Sequence, residues 1–442
     1  MDGNPQHAEN AVRTPLRPDT ARAAWCLTEA ANEPFFTLVQ RYVFPPFFVA
    51  ALAADSDADG AAIWGYITSA AGLLVAIGAP LLGAMIDSAG RRRPALIAVS
   101  LASMIASAVL WWAIPGSSLL LVAFAAAIAI TGAEMLAVIT NAWLPQVARF
   151  GRAGTLSGIA FGLGQIAGIA SLVLVIAVSE ELPKALAHIP FAVERLAGPI
   201  AALAMLVFLV PSFLFLRDIP KSPTAAGSPG SLATLWLMCR EAAGDQRLAR
   251  FYIGRAIGGD GMSLMFAFGA VLAGQLFGWK AGTLATFGVV VTVAAASGGF
   301  LSVMIDKWLG ARLTVITGMA IVLAGSAALL SVGSAANAGV PFVTVNEKLF
   351  TAAALLIALG SGPAIAGMRA LMAEIAPPDR VTAAFGLYAF SGRATNFVGP
   401  LVLGLIVSGT GSLRAGLLVA LVFLLIGIGC FITLPADNRS KA

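Results

Sequence analysis

Eight side chains in this sequence place charge or amide polarity inside long apolar runs: Glu29, Asn32, Glu33, Glu134, Arg255, Asp260, Arg369 and Arg393. An ionisable group in the middle of such a run costs roughly 2.5–3.5 kcal/mol on insertion scales, so each is read first as functional. Glu29 and Glu33 stand four apart and share one face of a helix. Two carboxylates that close resist ionising together, which suits a group that carries a proton. The competing reading makes them an interfacial cluster beside Arg22. Glu134 lies between AAAIAITGA and MLAVIT, and Arg369 occupies a near-equivalent place in the second half of the chain. A carboxylate and a guanidinium facing one another there could pair when the site is empty, or hold the amine and carboxylate of a zwitterion. A permanent structural ion pair is the alternative. Arg255 and Asp260 are five apart, about 140° around a helix, and are expected to serve different neighbours. Arg393 suits bidentate contact with a carboxylate. Arg41, also inside a run, either snorkels or pairs with a nearby acid.

The elements that position these groups follow from composition. Of 442 residues, 59% are hydrophobic and 11% charged, with mean hydropathy +0.90. A soluble chain carries about 25% charged residues. A membrane-spanning helix needs about 20 apolar residues, and twelve candidate spans are legible: 25–53, 62–86, 95–114, 118–141, 154–178, 196–216, 249–277, 282–305, 312–332, 349–373, 382–408 and 413–434. Continuous runs of that length exclude a β-barrel, whose strands alternate over ~10 residues. The segment between the sixth and seventh spans is rich in Pro, Ser and Gly and reads as a linker. The expected organisation is a tail (1–22), a six-helix bundle (23–216), a linker (217–248), a second bundle (249–434) and a short tail (435–442). The first 20 residues are polar, and no cleaved signal peptide is expected.

Eighteen of the 27 Lys and Arg residues fall in one set of loops and five in the opposite set. The positive-inside rule then places both termini in the cytoplasm. This reading also absorbs the net charge of +5, so nucleic acid is not an expected partner. Two histidines and three cysteines show no metal or pairing pattern, and no phosphate-binding loop motif occurs. No cofactor is expected, and no Ser/His constellation suggests an enzyme. The halves repeat: Met85–Asp87 returns as Met304–Asp306, and SGIAFGLGQIAG resembles FGLYAFSGRATN, with Gly158 on Gly386, Gly164 on Gly392 and Gln165 on Arg393. A duplication of six spans implies a pseudo-twofold axis along the membrane normal, with a site between the halves near the midplane. In the fifth span, the pairs Gly158/Gly162 and Gly164/Gly168 have a close-packing spacing.

The loop GAMIDSAGRRRP, with Gly83, Asp87, Gly90, Arg91 and Arg92, resembles the signature of the major facilitator superfamily, and Asp306 marks a degenerate second copy. The resemblance implies an all-α membrane fold of twelve helices in two pseudo-symmetric bundles. It also implies that the first, fourth, seventh and tenth spans line the cavity. In that superfamily the matching aspartate meets the N-terminal end of the eleventh helix, a contact favoured by the helix dipole. These six residues are therefore expected to form a cytoplasmic gate, with topological anchoring as the plainer role of the arginines. More finely, AAWCLTEAANEPFFTLVQRYVFPPFF, NAWLPQVA, IGGDGMSLMFAFG and APPDRVTAAFGLYAFSGRATNFVGPL resemble the vacuole-effluxer family of autophagy-linked amino-acid exporters and its bacterial relatives. Thr28-Glu29-Ala30 and Glu33 depart from that family's pattern, where a ligand would bind.

The expected function is secondary transport of a small polar solute, an amino acid or similar zwitterion, by alternating access with proton coupling. The expected form is a monomer in a bacterial inner membrane. Export of amphipathic or drug-like compounds is the alternative within the class. A non-transporting receptor on the same fold is the alternative outside it.

Overall fold

The computed structural model describes residues 18–56, 59–89, 92–141, 143, 147, 153–185, 189–216, 240, 243–334, 342–376 and 381–435. Among these the chain is helical, with no strand. The first span is α1 (Pro18–Phe35), which passes through π-helical turns at Phe36–Tyr42 and Phe48–Leu52 around a short α2 (Phe44–Phe47). Pro34 has no N–H to give the previous turn, and the Pro45-Pro46 pair repeats the defect, so the ladder is rearranged locally. Five further helices complete the first half: α3 (Gly60–Ala89), α4 (Arg93–Val109), α5 (Leu119–Asn141), α6 (Ala153–Ala185), and α8 (Ala197–Phe215) after the single turn α7 (Ala192–Arg195).

The second half is α9 (Gln246–Phe277), α10 (Ala281–Ser331), α11 (Val345–Ile375), α12 (Val381–Ala394), α13 (Val398–Thr410) and α14 (Leu413–Ile432). One of these differs from the expected spans, the eleventh. The eighth and ninth spans both lie within α10, whose 51 residues exceed what one crossing requires, and they part between the expected bounds of 305 and 312. The break is Gly310, at φ 76° and ψ 165°, a conformation that only glycine adopts without strain. Eleven helices long enough to cross a membrane therefore correspond to twelve crossings. The eleventh span is divided between α12 and α13. Pro400 cannot donate to the carbonyl of Asn396. The chain tightens there through Asn396 N to Arg393 O (3.3 Å) and Val398 N to Thr395 O (2.8 Å).

The two halves meet closely at the end that carries the 54–59 loop. A Cβ on Gly65 would lie 2.9 Å from the Pro400 carbonyl, one on Gly404 2.9 Å from the Tyr66 ring, and one on Gly288 2.9 Å from the Tyr42 ring. Hydrogen bonds join the same seam. Ser69 donates to the Phe397 carbonyl at 2.9 Å, and the Tyr66 and Ser408 hydroxyls stand 2.8 Å apart. Aromatic clusters brace this end within each half, Phe44 and Phe48 around Trp64 and Phe287, Phe342 and Phe350 around Trp279. Glu347, buried, accepts from Trp279 Nε1 (2.8 Å) and from Thr344 N (3.0 Å), closing a capping box that starts α11.

At the opposite end arginines hold helix termini. Arg312 Nε donates to Phe431 O at 2.9 Å, and Arg250 to Thr433 O. Both are cations at the negative end of α14, where the dipole favours them. Arg22 pairs with Asp19 at 3.0 Å and donates to Val147 O. It is thus engaged away from Glu29 and Glu33, which do not form an interfacial cluster with it.

Candidate functional site

Glu29 and Glu33 lie on the side of α1 that packs on α6. A Cβ on Gly164 would lie 3.4 Å from the Glu29 backbone, and one on Gly168 3.1 Å from Glu33 Cγ. These glycines permit the close approach expected of their spacing, whereas a Cβ on Gly162 would meet open space. Glu33 is taken up by an ion pair: its Oε1 accepts from Arg41 Nη1 at 2.8 Å. The two are eight residues apart, beyond helical neighbours, and the π-helical turn after Phe35 brings them together. Arg41 thus pairs with an acid rather than snorkelling. Asn32 is buried and donates to Ala133 O at 3.0 Å, tying α1 to α5 one residue before Glu134.

Among the described residues, Glu134 and Arg393 form an ion pair that crosses between the halves, with Oε2 3.8 Å from Nε. The distance is too long for a hydrogen bond, and Arg393 Nε has no hydrogen-bond partner. The partner of Glu134 is therefore Arg393 on α12 and not Arg369 on α11, as the symmetry of positions had suggested. The tightened turn after Arg393 brings α12 toward α5, while Arg369 is exposed. Arg369 and Arg393 are both within electrostatic reach of Glu29. A cavity of about 180 Å³ adjoins the pair, lined by Val75, Ala76, Ala79 and Pro80 of α3, Val138 of α5, and Phe390, Arg393 and Ala394 of α12.

Arg255 and Asp260 form a second group within the later half. The Arg255 guanidinium lies 3.8 Å from the centroid of the Tyr388 ring and donates to Ser391 Oγ at 3.2 Å. A Cβ on Gly392 would collide with that guanidinium. Asp260, 4% exposed, faces the Thr395 side chain and feels the Arg255 charge. The two residues therefore serve the same neighbour, the broken eleventh span, contrary to the expectation from their angular separation. The length of the arginine side chain and the turn after Ala394 bring both contacts within reach. Tyr388, Ser391 and Thr395 were not singled out in the sequence; the signal that pointed to them was Pro400.

Of the gate residues, Gly90 and Arg91 lie outside the described residues. Gly83 and Asp87 are described as helical backbone at the end of α3, and Arg92 precedes α4. Asp306 is exposed four residues before Gly310, within electrostatic reach of Glu374 on α11, which also feels Arg247. Among the described residues no group of His, Cys, Asp and Glu could hold a metal ion.

With this geometry established, comparison with known proteins gives the class. The family model described as "Vacuole effluxer Atg22 like" matches residues 53–442. The chain belongs to that family. Autophagy-related protein 22 of Cryptococcus neoformans is 30% identical over 160 residues, 35% of this chain and 28% of that protein. The protein of the same name from Yarrowia lipolytica is 25% identical over 216 residues, 47% of this chain. The chain spans about a third of the length of these curated relatives. Among solved structures, the nucleoside transporter NupG superposes with a TM-score of 0.66 at 15% identity, over 94% of this chain and 98% of that one. The D-xylose-proton symporter gives 0.66 at 13%, over 94% and 96%. A bacterial homologue of the human lysosomal transporter Spinster gives 0.65 at 15%, over 96% and 98%. The fold is that of the major facilitator superfamily, twelve crossings in two pseudo-symmetric bundles, and the protein is a multi-pass membrane protein.

Proposed function

We propose that this effluxer-family protein moves a small zwitterion, an amino acid or close analogue, across the membrane by alternating access coupled to protons. The supporting observation is the Glu134–Arg393 pair, which bridges the two halves without a hydrogen bond. Glu29 is within electrostatic reach of Arg369 and Arg393, and we take Glu29 as the acidic side of the cleft and Arg369 as the basic side. The substrate ammonium would take the place of Arg393 beside Glu134 and Glu29. Its carboxylate would take the place of Glu134 beside Arg393 and Arg369, where a guanidinium fork fits a carboxylate. The apolar cavity walls next to the pair suit a small aliphatic or aromatic side chain. That feature also favours the second reading, export of an amphipathic compound.

The seam at the 54–59 end is closed by glycine contacts and hydrogen bonds. We take the other end, which holds most of the loop arginines, as cytoplasmic with both termini on it. This state is then inward-facing, the conformation in which the Spinster homologue was solved. We assign the gate role to Asp87, Arg91 and Arg92, with Gly83 and Gly90 allowing close approach, and Asp306 as the counterpart.

The experiment is proton flux in sealed proteoliposomes, read with an internal pH dye, while a panel of amino acids and related zwitterions is added. A substrate-dependent pH change that disappears in Glu134→Gln supports the proposal. No change with any member, in vesicles containing folded protein, overturns it in favour of an uncoupled or amphipathic cargo.

A further inference from the structure

The seam between α3 and the divided eleventh span parts at one level. Toward the 54–59 end it is closed: Ser69 donates to the Phe397 carbonyl at 2.9 Å, and a Cβ on Gly72 would lie 3.1 Å from Phe397 Cα. One turn further along α3 a cavity of about 180 Å³ intervenes. Ala76, Ala79 and Pro80 stand on one side of it, and Phe390, Arg393 and Ala394 of α12 on the other. The alanines leave space that larger side chains would fill. Behind the cavity α3 is seated on α5, where a Cβ on Gly78 would lie 2.7 Å from Met135 Cε.

The inner end of this wedge is charged. Val138, on its α5 wall, stands one turn after Glu134 on the same helix face, so the wedge adjoins the cross-half pair. Among the described residues that line it, Arg393 alone is charged. The buried Nε of Arg393 has no hydrogen-bond partner. Glu134, at 3.8 Å, balances the charge without accepting from that N–H. A buried donor on a charged group is costly to leave without an acceptor.

The outer end is apolar and borders lipid. Leu73, Leu74, Ile77 and Leu81 are exposed on the turns of α3 that line the wedge. On a spanning helix such side chains meet acyl chains, which are as apolar as leucine. An apolar cavity of about 150 Å³ admits a benzene-sized group, so the wedge has room for a stretch of one hydrocarbon chain.

We propose that the wedge between α3 and α12 binds a single-chain anionic amphiphile, a long-chain fatty acid taken from the bilayer. Its carboxylate supplies the acceptor that Arg393 Nε lacks. Its chain lies against Ala76, Ala79 and Phe390 and leads past Ile77 into lipid. A small soluble anion lacks the chain, and a neutral alcohol lacks the charge, so neither meets both ends of the site. The bound carboxylate competes with Glu134 for Arg393. It thereby loosens the cross-half pair, and the chain holds α3 and α12 apart at this level. The fatty acid acts here as a ligand that biases the state of the protein. The site goes beyond the zwitterion reading and does not rest on it.

The test uses the purified full chain in phosphatidylcholine nanodiscs with a fatty acid that carries a photoreactive diazirine on its chain. Labelled peptides are mapped by mass spectrometry, and unlabelled oleate, oleyl alcohol and acetate are the competitors. The label is expected on the 75–81 and 390–394 segments, displaced by oleate and not by acetate. Oleyl alcohol should compete roughly tenfold less well, the worth of one hydrogen bond to a charged group, and Arg393→Gln should weaken oleate by a similar factor. Ala79→Phe, which fills the wedge and leaves Arg393 in place, should abolish labelling there. Where that variant fails to fold, Ala76→Leu carries the same expectation. A spin-label pair across α3 and α12 should lengthen with oleate and not with oleyl alcohol. Label spread over other lipid-facing helices alone, equal competition by acid and alcohol, undiminished labelling in the folded filling variant, or an unchanged spin-label distance each overturns the proposal. Amino-acid-driven proton flux without a labelled wedge would leave the zwitterion reading intact and remove this site. A silent amino-acid panel with a labelled wedge would do the reverse.

Discussion

Under the alternating access proposed above, neutralising either member of the Glu134–Arg393 pair should shift the balance between the two orientations of the protein. Two unit charges 3.8 Å apart interact by about 4 kcal/mol at an effective dielectric near 20. Two features reduce that. The side chains are 27% and 19% exposed, so water screens them, and the absence of a hydrogen bond removes the short-range contribution. A coupling of about 1–2 kcal/mol remains, within the range that neighbouring residues show in double-mutant cycles. Because the partners sit on different halves, this energy is tied to the approach of α12 to α5. Its loss should change the ratio of the two orientations by roughly 5–30-fold. The assay is a cycle of Glu134→Gln, Arg393→Gln and the double variant, reading the ratio from spin-label distances across α3 and α12 without substrate. Each single change should move the ratio, and the double variant should move it less than the sum. Strict additivity, or single variants that leave the ratio at its native value, would refute the reasoning and reduce the pair to a bystander.

Three other perturbations follow from the same contacts. Gly404→Leu should drive a side chain into the Tyr66 ring, 2.9 Å from its Cβ, so a cysteine introduced on the seam becomes reactive to a membrane-impermeant thiol reagent while the melting temperature stays near native. Gly318→Leu should instead destabilise the later half by about 1–3 kcal/mol, because its Cβ would lie 2.8 Å from the Gly360 carbonyl within one bundle; a thermal melt measures it. Glu347→Ala should cost about 1–3 kcal/mol by leaving the buried Trp279 indole and the start of α11 unpaired, with a changed Trp279 emission as the local readout and a native spectrum as the refutation.

Much of the fold was legible because the apolar runs are long and the loops between them carry charge. The departures have local causes. The division of the eleventh span follows from one missing N–H at Pro400, which a run of apolar residues conceals. The candidate site was legible as a set of residues but not as a set of partners. Glu33 and Arg41 meet only because a π-helical turn alters the register between them. Arg393 displaced Arg369 as the partner of Glu134 because the turn after it redirects α12. Asp260 and Arg255 seemed to face apart on an ideal helix, yet one long side chain and one broken neighbour bring both to the same strip.

The repeat itself contains the strongest argument about cargo. Gly164 packs against the backbone of Glu29, and Gly392 against the guanidinium of Arg255; the sequence repeat matches the two glycines. An acid in the first half answers to a base in the second. Glu134 and Arg369 repeat that inversion on α5 and α11. On the proposed reading of the cleft, Glu29 and Glu134 of the first half oppose Arg369 and Arg393 of the second, which would set a field from an acidic wall to a basic one. An anion or a cation would satisfy one wall and leave the other unpaired, at the cost of a partly buried charge without a partner. A solute with both charges satisfies both walls and adds no net charge to the cleft. Reversing the walls tests this directly: Glu134→Arg with Arg393→Glu retains a cross-half pair but turns its dipole around. The double variant should keep the closed seam and lose zwitterion-driven flux, whereas flux restored to the native level would show that the pair serves only to hold the halves together.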